Sequence, residues 1–96
     1  MPLTLLVLIP AKPGQGDALG EALKGLVAPT RAEAGNISYD AHRSNDNPDL
    51  FMMYETWESQ AALDSHFQQP HMQAAMARLP ELVEGELKLQ GFTKIS

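Results

Sequence analysis

The side chains able to move protons or hold a polar ligand are Arg31, Glu33, Tyr39, His42, Tyr54, Glu55, Trp57, His66 and His71. The chain has no cysteine, which excludes thiolate nucleophiles, disulfides and cysteine-ligated zinc or iron–sulfur centres. Proton transfer therefore falls to histidine and carboxylate. His66 is the best base, since an unperturbed histidine titrates at about 6.5, although a core histidine satisfied by a carbonyl would look the same. Trp57 offers a flat wall for an aromatic ring, or a core anchor between sheet and helix. Tyr39 and Tyr54, with an ordinary value of about 10, are poor bases and serviceable donors. Glu55 would be costly inside a strand unless paired, and an ion pair with Arg31 is its expected structural role. Arg31 and Glu33 are expected to fix the turn leaving the first helix, where an arginine also meets the negative helix end. His66 and His71 are five residues apart, roughly 140° around an ideal helix. With Pro70 between them and no HExxH spacing, no metal is expected.

The stretch that must position these groups is Leu50–Trp57, LFMMYETW. Strand alternation puts Phe51, Met53, Glu55 and Trp57 on one face and Leu50, Met52, Tyr54 and Thr56 on the other. Both faces are largely apolar, so helices should cover one and a second copy of the chain the other. Leu3–Ile9 reads as a strand buried on both sides, ended by Pro10, Pro13 and Gly14. Between about Gln15 and Glu33, Leu19, Ala22, Leu23, Leu26, Val27 and Thr30 form a helical stripe, with a kink or brief interruption expected at Pro29. Gly35 is a candidate C-terminal cap. Asn36–Arg43 alternates as a strand, and the turn sequence SNDNPD joins it to Leu50–Trp57 as a hairpin.

Ser59 is placed to cap a helix containing Leu63, His66 and Phe67. Pro70 interrupts it and opens another helix, which Pro80 should bend or end. Glu86–Ile95 reads as a last strand with one partly polar face. The order β-α-β-β-α-β predicts an α+β, ferredoxin-like split βαβ fold: one domain over residues 1–96, four antiparallel strands with helices on one face, and a dimeric α+β barrel formed sheet against sheet. A cavity left between the two sheets would be the place for a ligand.

Composition narrows the function. An apolar content of 44% excludes a disordered chain. Seven Lys and Arg against twelve Asp and Glu give −5, which argues against nucleic acid. Residues 3–9 are too few to span a bilayer, so no membrane insertion is expected, and the lack of cysteine fits a cytoplasmic protein. The expected substrate is small and at least partly apolar. The methionines at 52, 53, 72 and 76 would suit an adaptable lining, or ordinary core.

Three segments, PTRAEAGNISY (29–39), YETW (54–57) and HFQQPHM (66–72), resemble the antibiotic biosynthesis monooxygenase domain, and the likeness runs from Leu5 to about Phe92. The resemblance implies a homodimer of ferredoxin-like subunits with a pocket in each. It also implies oxidation of quinols or aromatic polyketides by dioxygen, without flavin, haem or metal. The family's Glu-x-Trp corresponds to Glu55-Thr56-Trp57 and its helical histidine to His66. The first strand lacks the asparagine of haem-degrading relatives. The expected catalytic set is His66, Trp57 and Tyr54, with Tyr39, Met53, Glu55, Phe67, His71 and Met72 as substrate contacts and no cofactor. Two other readings are an isomerase of a small phosphorylated or oxygenated metabolite, using His42, Arg43 and Lys88, and a small-molecule-binding dimer without turnover.

Overall fold

The structure, a computed structural model, describes residues 2–96. Its elements are β1 (Leu3–Pro10), α1 (Gly16–Arg31), β2 (Asn36–Arg43), β3 (Leu50–Trp57), α2 (Gln60–Gln68), α3 (Pro70–Leu82) and β4 (Lys88–Phe92). The strands form one antiparallel sheet in the order β2-β3-β1-β4, with Val7 of β1 opposite Met53 on one side and Leu89 on the other. This is the α+β, ferredoxin-like arrangement expected from the order of elements.

The apolar residues sort by strand parity. Leu5, Val7 and Ile9 of β1, with Phe51, Met53 and Trp57 of β3, are buried beneath the helices. Leu19, Leu23 and Leu26 of α1, Leu63 of α2 and Met72, Leu79 and Leu82 of α3 close the layer from above. The opposite parity, Leu6, Leu8, Leu50 and Met52, is only half-buried, and Tyr54 is 44% exposed. One face of the sheet is therefore uncovered within a single chain, as the two-sided pattern of β3 requires.

Local chemistry sets the boundaries. Ser59 Oγ accepts from the Ala62 N–H and caps α2, while Pro70 sits at the start of α3, where its missing N–H costs nothing. Between them Gln69 is extended, so the chain turns sharply after Gln68. In β2 the register shifts between Asn36 and Ser38, and Asn36 Nδ2 bridges the bulge to the Ser38 carbonyl at 3.0 Å. The extra residue, Ile37, is exposed and Tyr39 turns inward, although strict alternation puts both on one face.

Three boundary expectations are corrected. Pro29 does not interrupt α1 and Pro80 does not end α3: each lies within the last turns, where a single lost hydrogen bond does not end the helix. Gly35 is not the cap: α1 is capped at Ala32, and Gly35 turns the chain into β2 at φ +87°. The last strand is shorter than Glu86–Ile95, and all its residues are exposed at the sheet edge.

Candidate active site

The site grows from the turn after α1. The Glu33 N–H donates to the Thr30 carbonyl, extending the last turn, and Gly35 then brings the chain against α2. A Cβ on Gly35 would lie 2.6 Å from Ala62 Cβ, so only glycine allows this approach. Glu33 is thereby delivered to α2, where His66 Nδ1 donates to its Oε2 at 2.8 Å. The turn at Gln69 returns the chain toward the same carboxylate, and His71 Nε2 donates to Oε2 at 2.6 Å. A carboxylate only accepts, so both rings present N–H groups to it. The side chain of His66 is 1% exposed, that of Glu33 7% and that of His71 21%.

Aromatic rings surround His66. Trp57 lies 4.7 Å away between ring centroids, Phe67 5.4 Å and Tyr39 5.5 Å. Trp57 Nε1 donates to Glu55 Oε1 at 3.0 Å, which gives Glu55 a buried partner on its own strand face. Arg31 is not that partner, contrary to expectation. It pairs with Asp40 at 2.8 Å and donates to the Tyr39 carbonyl, because it leaves α1 toward the β2 edge. Glu33 likewise does more than fix a turn.

Burial dominates the electrostatics. Loss of water pushes Glu55 from 4.5 up to about 7, with the Trp57 N–H opposing the rise and the Glu33 charge adding to it. Burial, then the Glu55 charge, push the Tyr39 phenol well above its ordinary value. Thr30 Oγ1 is buried without a hydrogen bond of normal geometry, yet lies near enough to that phenol to offset part of the rise. His66 is pushed below its ordinary value by burial, against the stabilising bond to Glu33. It is therefore a neutral imidazole at neutral pH, with Nδ1–H held by Glu33 and Nε2 carrying the lone pair.

A cavity of about 50 Å³ adjoins His66 and is lined in part by Tyr39, Met53, Glu55, Phe67 and Met72. It lies between sheet and helices inside one chain, not between two sheets. Five of the expected substrate contacts share this cavity. His71 stands apart on the wall of a groove of about 290 Å³ between α1 and α3. Leu23, Leu26 and Leu79 line both spaces, so a single layer of side chains separates them. Of the expected catalytic set, His66 and Trp57 come together and Tyr54 does not, because it projects from the opposite face of β3. The alternation of LFMMYETW already separates Tyr54 from Trp57. Glu33 joins the site although nothing in its sequence spacing marks it out.

The phosphate-binding alternative loses its geometry. Arg43 is engaged by Asp17 at 3.0 Å and the Pro48 carbonyl at 2.8 Å, over the Phe51 ring. Lys88 lies on the opposite edge of the sheet, so the two cannot meet one phosphate within a chain.

Residues 2–78 match the model of a family described as antibiotic biosynthesis monooxygenase. The chain belongs to this family. It is 34% identical over 82 residues to "Putative monooxygenase Rv0793" of Mycobacterium tuberculosis, covering 85% of this chain and 80% of that protein. The crystal structure of PA3566 from Pseudomonas aeruginosa superposes with a TM-score of 0.94 at 37% identity, covering 99% of this chain and 95% of that one. An uncharacterised Synechocystis protein, sll1783, is 29% identical over 82 residues, which is 85% of this chain and 56% of its own length. Kinship with the monooxygenase family supports a monooxygenase type of activity. Among the described residues no helix is long and apolar enough to cross a membrane.

Proposed function

We propose that this chain is a monooxygenase that oxidises a quinol or related phenol with dioxygen, with His66 as the base. The observation that carries the reading is the buried His66–Glu33 pair set among Trp57, Tyr39 and Phe67 beside an apolar cavity. His66 Nε2 takes the phenolic proton, and Glu33 stabilises the imidazolium through Nδ1–H. The phenolate passes an electron to dioxygen, and the radical pair joins at the ring carbon beside or opposite the hydroxyl. The hydroperoxide then loses water, leaving one oxygen atom in a new carbonyl and the other in water. Every electron that dioxygen accepts comes from the substrate, so the chemistry requires no flavin, haem or metal. Glu55, protonated over much of the range up to about 7, is a donor for the developing oxyanion, and Trp57 holds it in place.

A cavity of about 50 Å³ suits dioxygen or a water rather than an aromatic ring. Ring entry therefore requires the wall of Leu23, Leu26 and Leu79 to part, which opens the cavity to the groove beside His71. The reading includes a homodimer, in which a second copy of the chain covers Leu6, Leu8, Leu50 and Met52. A half-buried apolar sheet face of this kind suits a like surface.

Oxygen uptake with menadiol, corrected for the spontaneous reaction, tests the proposal. Uptake should be catalytic, yield hydroxymenadione and water, and leave no hydrogen peroxide. His66→Asn should lower the rate by about 10²–10⁴-fold, as loss of a general base does. Full turnover in a folded His66→Asn variant would refute the assignment. Peroxide as the sole reduced product would refute the monooxygenase reading.

A further inference from the structure

Glu33, His66 and His71 also form a second kind of site. We propose that they bind one divalent transition-metal ion of the zinc, cobalt and nickel class. Glu33 Oε2, His66 Nδ1 and His71 Nε2 all lie within 4.8 Å of one another. Two imidazoles and one carboxylate are a three-ligand set that leaves further positions open for water. Metal–ligand bonds of about 2.0–2.2 Å put neighbouring donor atoms about 3 Å apart, close to the 2.8 and 2.6 Å contacts already present. The third pair, His66 Nδ1 and His71 Nε2, lies within 4.8 Å and has to close around the ion, a movement that falls to the partly exposed His71.

The sequence spacing disfavours this site only if one helix carries both histidines. The extended Gln69 removes that premise by separating α2 from α3 and bringing His71 back to Glu33. The donors sit on three segments fixed by the core, so the cost of gathering ligands is met in folding. Access is one-sided, through the α1–α3 groove where His71 is partly exposed. Arg78 lines the same groove and is exposed. Arg31 is already held by Asp40.

Ion binding has a consequence for the base, and this step alone rests on the oxygenase reading. In the ion-free site His66 carries its proton on Nδ1 and His71 on Nε2, both toward Glu33. An ion needs those lone pairs, so each ring moves its proton to the other nitrogen. For His66 that is Nε2, the atom that would otherwise accept the phenolic proton. Ion and base function exclude each other, and the metal is an inhibitor.

The test uses the full chain after dialysis against EDTA, titrated with CoCl2 and followed by visible absorption and calorimetry. One ion per chain is expected, displaced by ZnCl2. His71→Ala and Glu33→Gln should each weaken binding about 10-fold or more. His42→Ala, on the exposed end of β2, should leave it unchanged. His71 is partly exposed, so its variant should keep the far-ultraviolet dichroism of the parent. No cobalt signal would overturn the site; binding retained in both ligand variants, or abolished by His42→Ala, would mean an adventitious ion only and overturn it equally. ZnCl2 should also suppress menadiol-dependent oxygen uptake over the same concentrations at which it binds. Binding with undiminished uptake would overturn the exclusion step. Binding to a protein with no uptake at all would refute the oxygenase reading and leave the metal site standing.

Discussion

Replacing Glu55 with Gln should change how stability depends on pH. Glu55 is 3% exposed, and its displacement from 4.5 to about 7 corresponds to about 3 kcal/mol at about 1.4 kcal/mol per tenfold change. The direction follows from which state binds the proton more tightly. Below 4.5 the carboxyl is protonated both folded and unfolded, and burial carries no ionic cost. As pH rises toward about 7 the unfolded chain ionises first, so stability falls; above about 7 the folded chain bears the full cost and the curve levels. Gln keeps a carbonyl to accept the Trp57 N–H and cannot ionise. His66 acts in the opposite sense: its lowered value makes its contribution complete above an unfolded value of 6.5 and lost as pH falls below it. That limb remains in the variant, so the difference between the two proteins isolates Glu55. The assay is urea unfolding at pH 5 and pH 8.5 at fixed protein concentration, followed by fluorescence of Trp57, the single and fully buried tryptophan. The variant should gain about 2.5 kcal/mol on wild type between the two pH values, because at pH 5 the unfolded carboxyl is already mostly ionised and part of the cost is present. Parallel profiles would show that the carboxyl ionises in the fold without cost, and the account of the site's electrostatics would fail.

Gly35→Ala should destabilise the fold by about 3 kcal/mol or more, since φ +87° disfavours a side chain and the new Cβ meets Ala62. Ala62→Gly in the same chain should restore only the steric part, as read by thermal unfolding. Leu8→Glu on the open sheet face should convert the proposed dimer to a monomer in light scattering while Trp57, on the other face, keeps its emission. An unchanged mass would remove the sheet face as the contact between copies.

Much of this architecture is legible because strand parity is unforgiving. A one-residue shift would expose the whole Phe51, Met53, Trp57 row, so LFMMYETW declares both its faces. Ser59 and Pro70 are readable for a similar reason, as each satisfies a helix end by local chemistry. What escaped depends on contacts distant in the chain. Glu33 and His66 are 33 residues apart, and their meeting depends on Gly35 fitting against Ala62. The pairing of His71 with the same carboxylate depends on one extended residue, Gln69, for which the helical periodicity gives no sign. Tyr54 has the chemistry of a donor, but strand parity puts it on the face of β3 opposite Trp57.

The remaining question is why a chain of 96 residues buries Tyr39, Glu55 and His66 together, when apolar side chains of similar volume would stabilise it more. All three are displaced toward the uncharged form, the tyrosine and the glutamate upward and the histidine downward. Glu33 receives two N–H donors on a single oxygen, from His66 Nδ1 and His71 Nε2. The cluster thus sets a carboxylate with two hydrogen-bond donors beside groups that resist charge. A proton arriving on His66 is stabilised by that carboxylate, whereas one lost from Tyr39 would add a second negative charge beside Glu55. The asymmetry favours His66 over Tyr39 as the proton acceptor of the cluster, the division of labour that the proposed oxidation of a phenol requires.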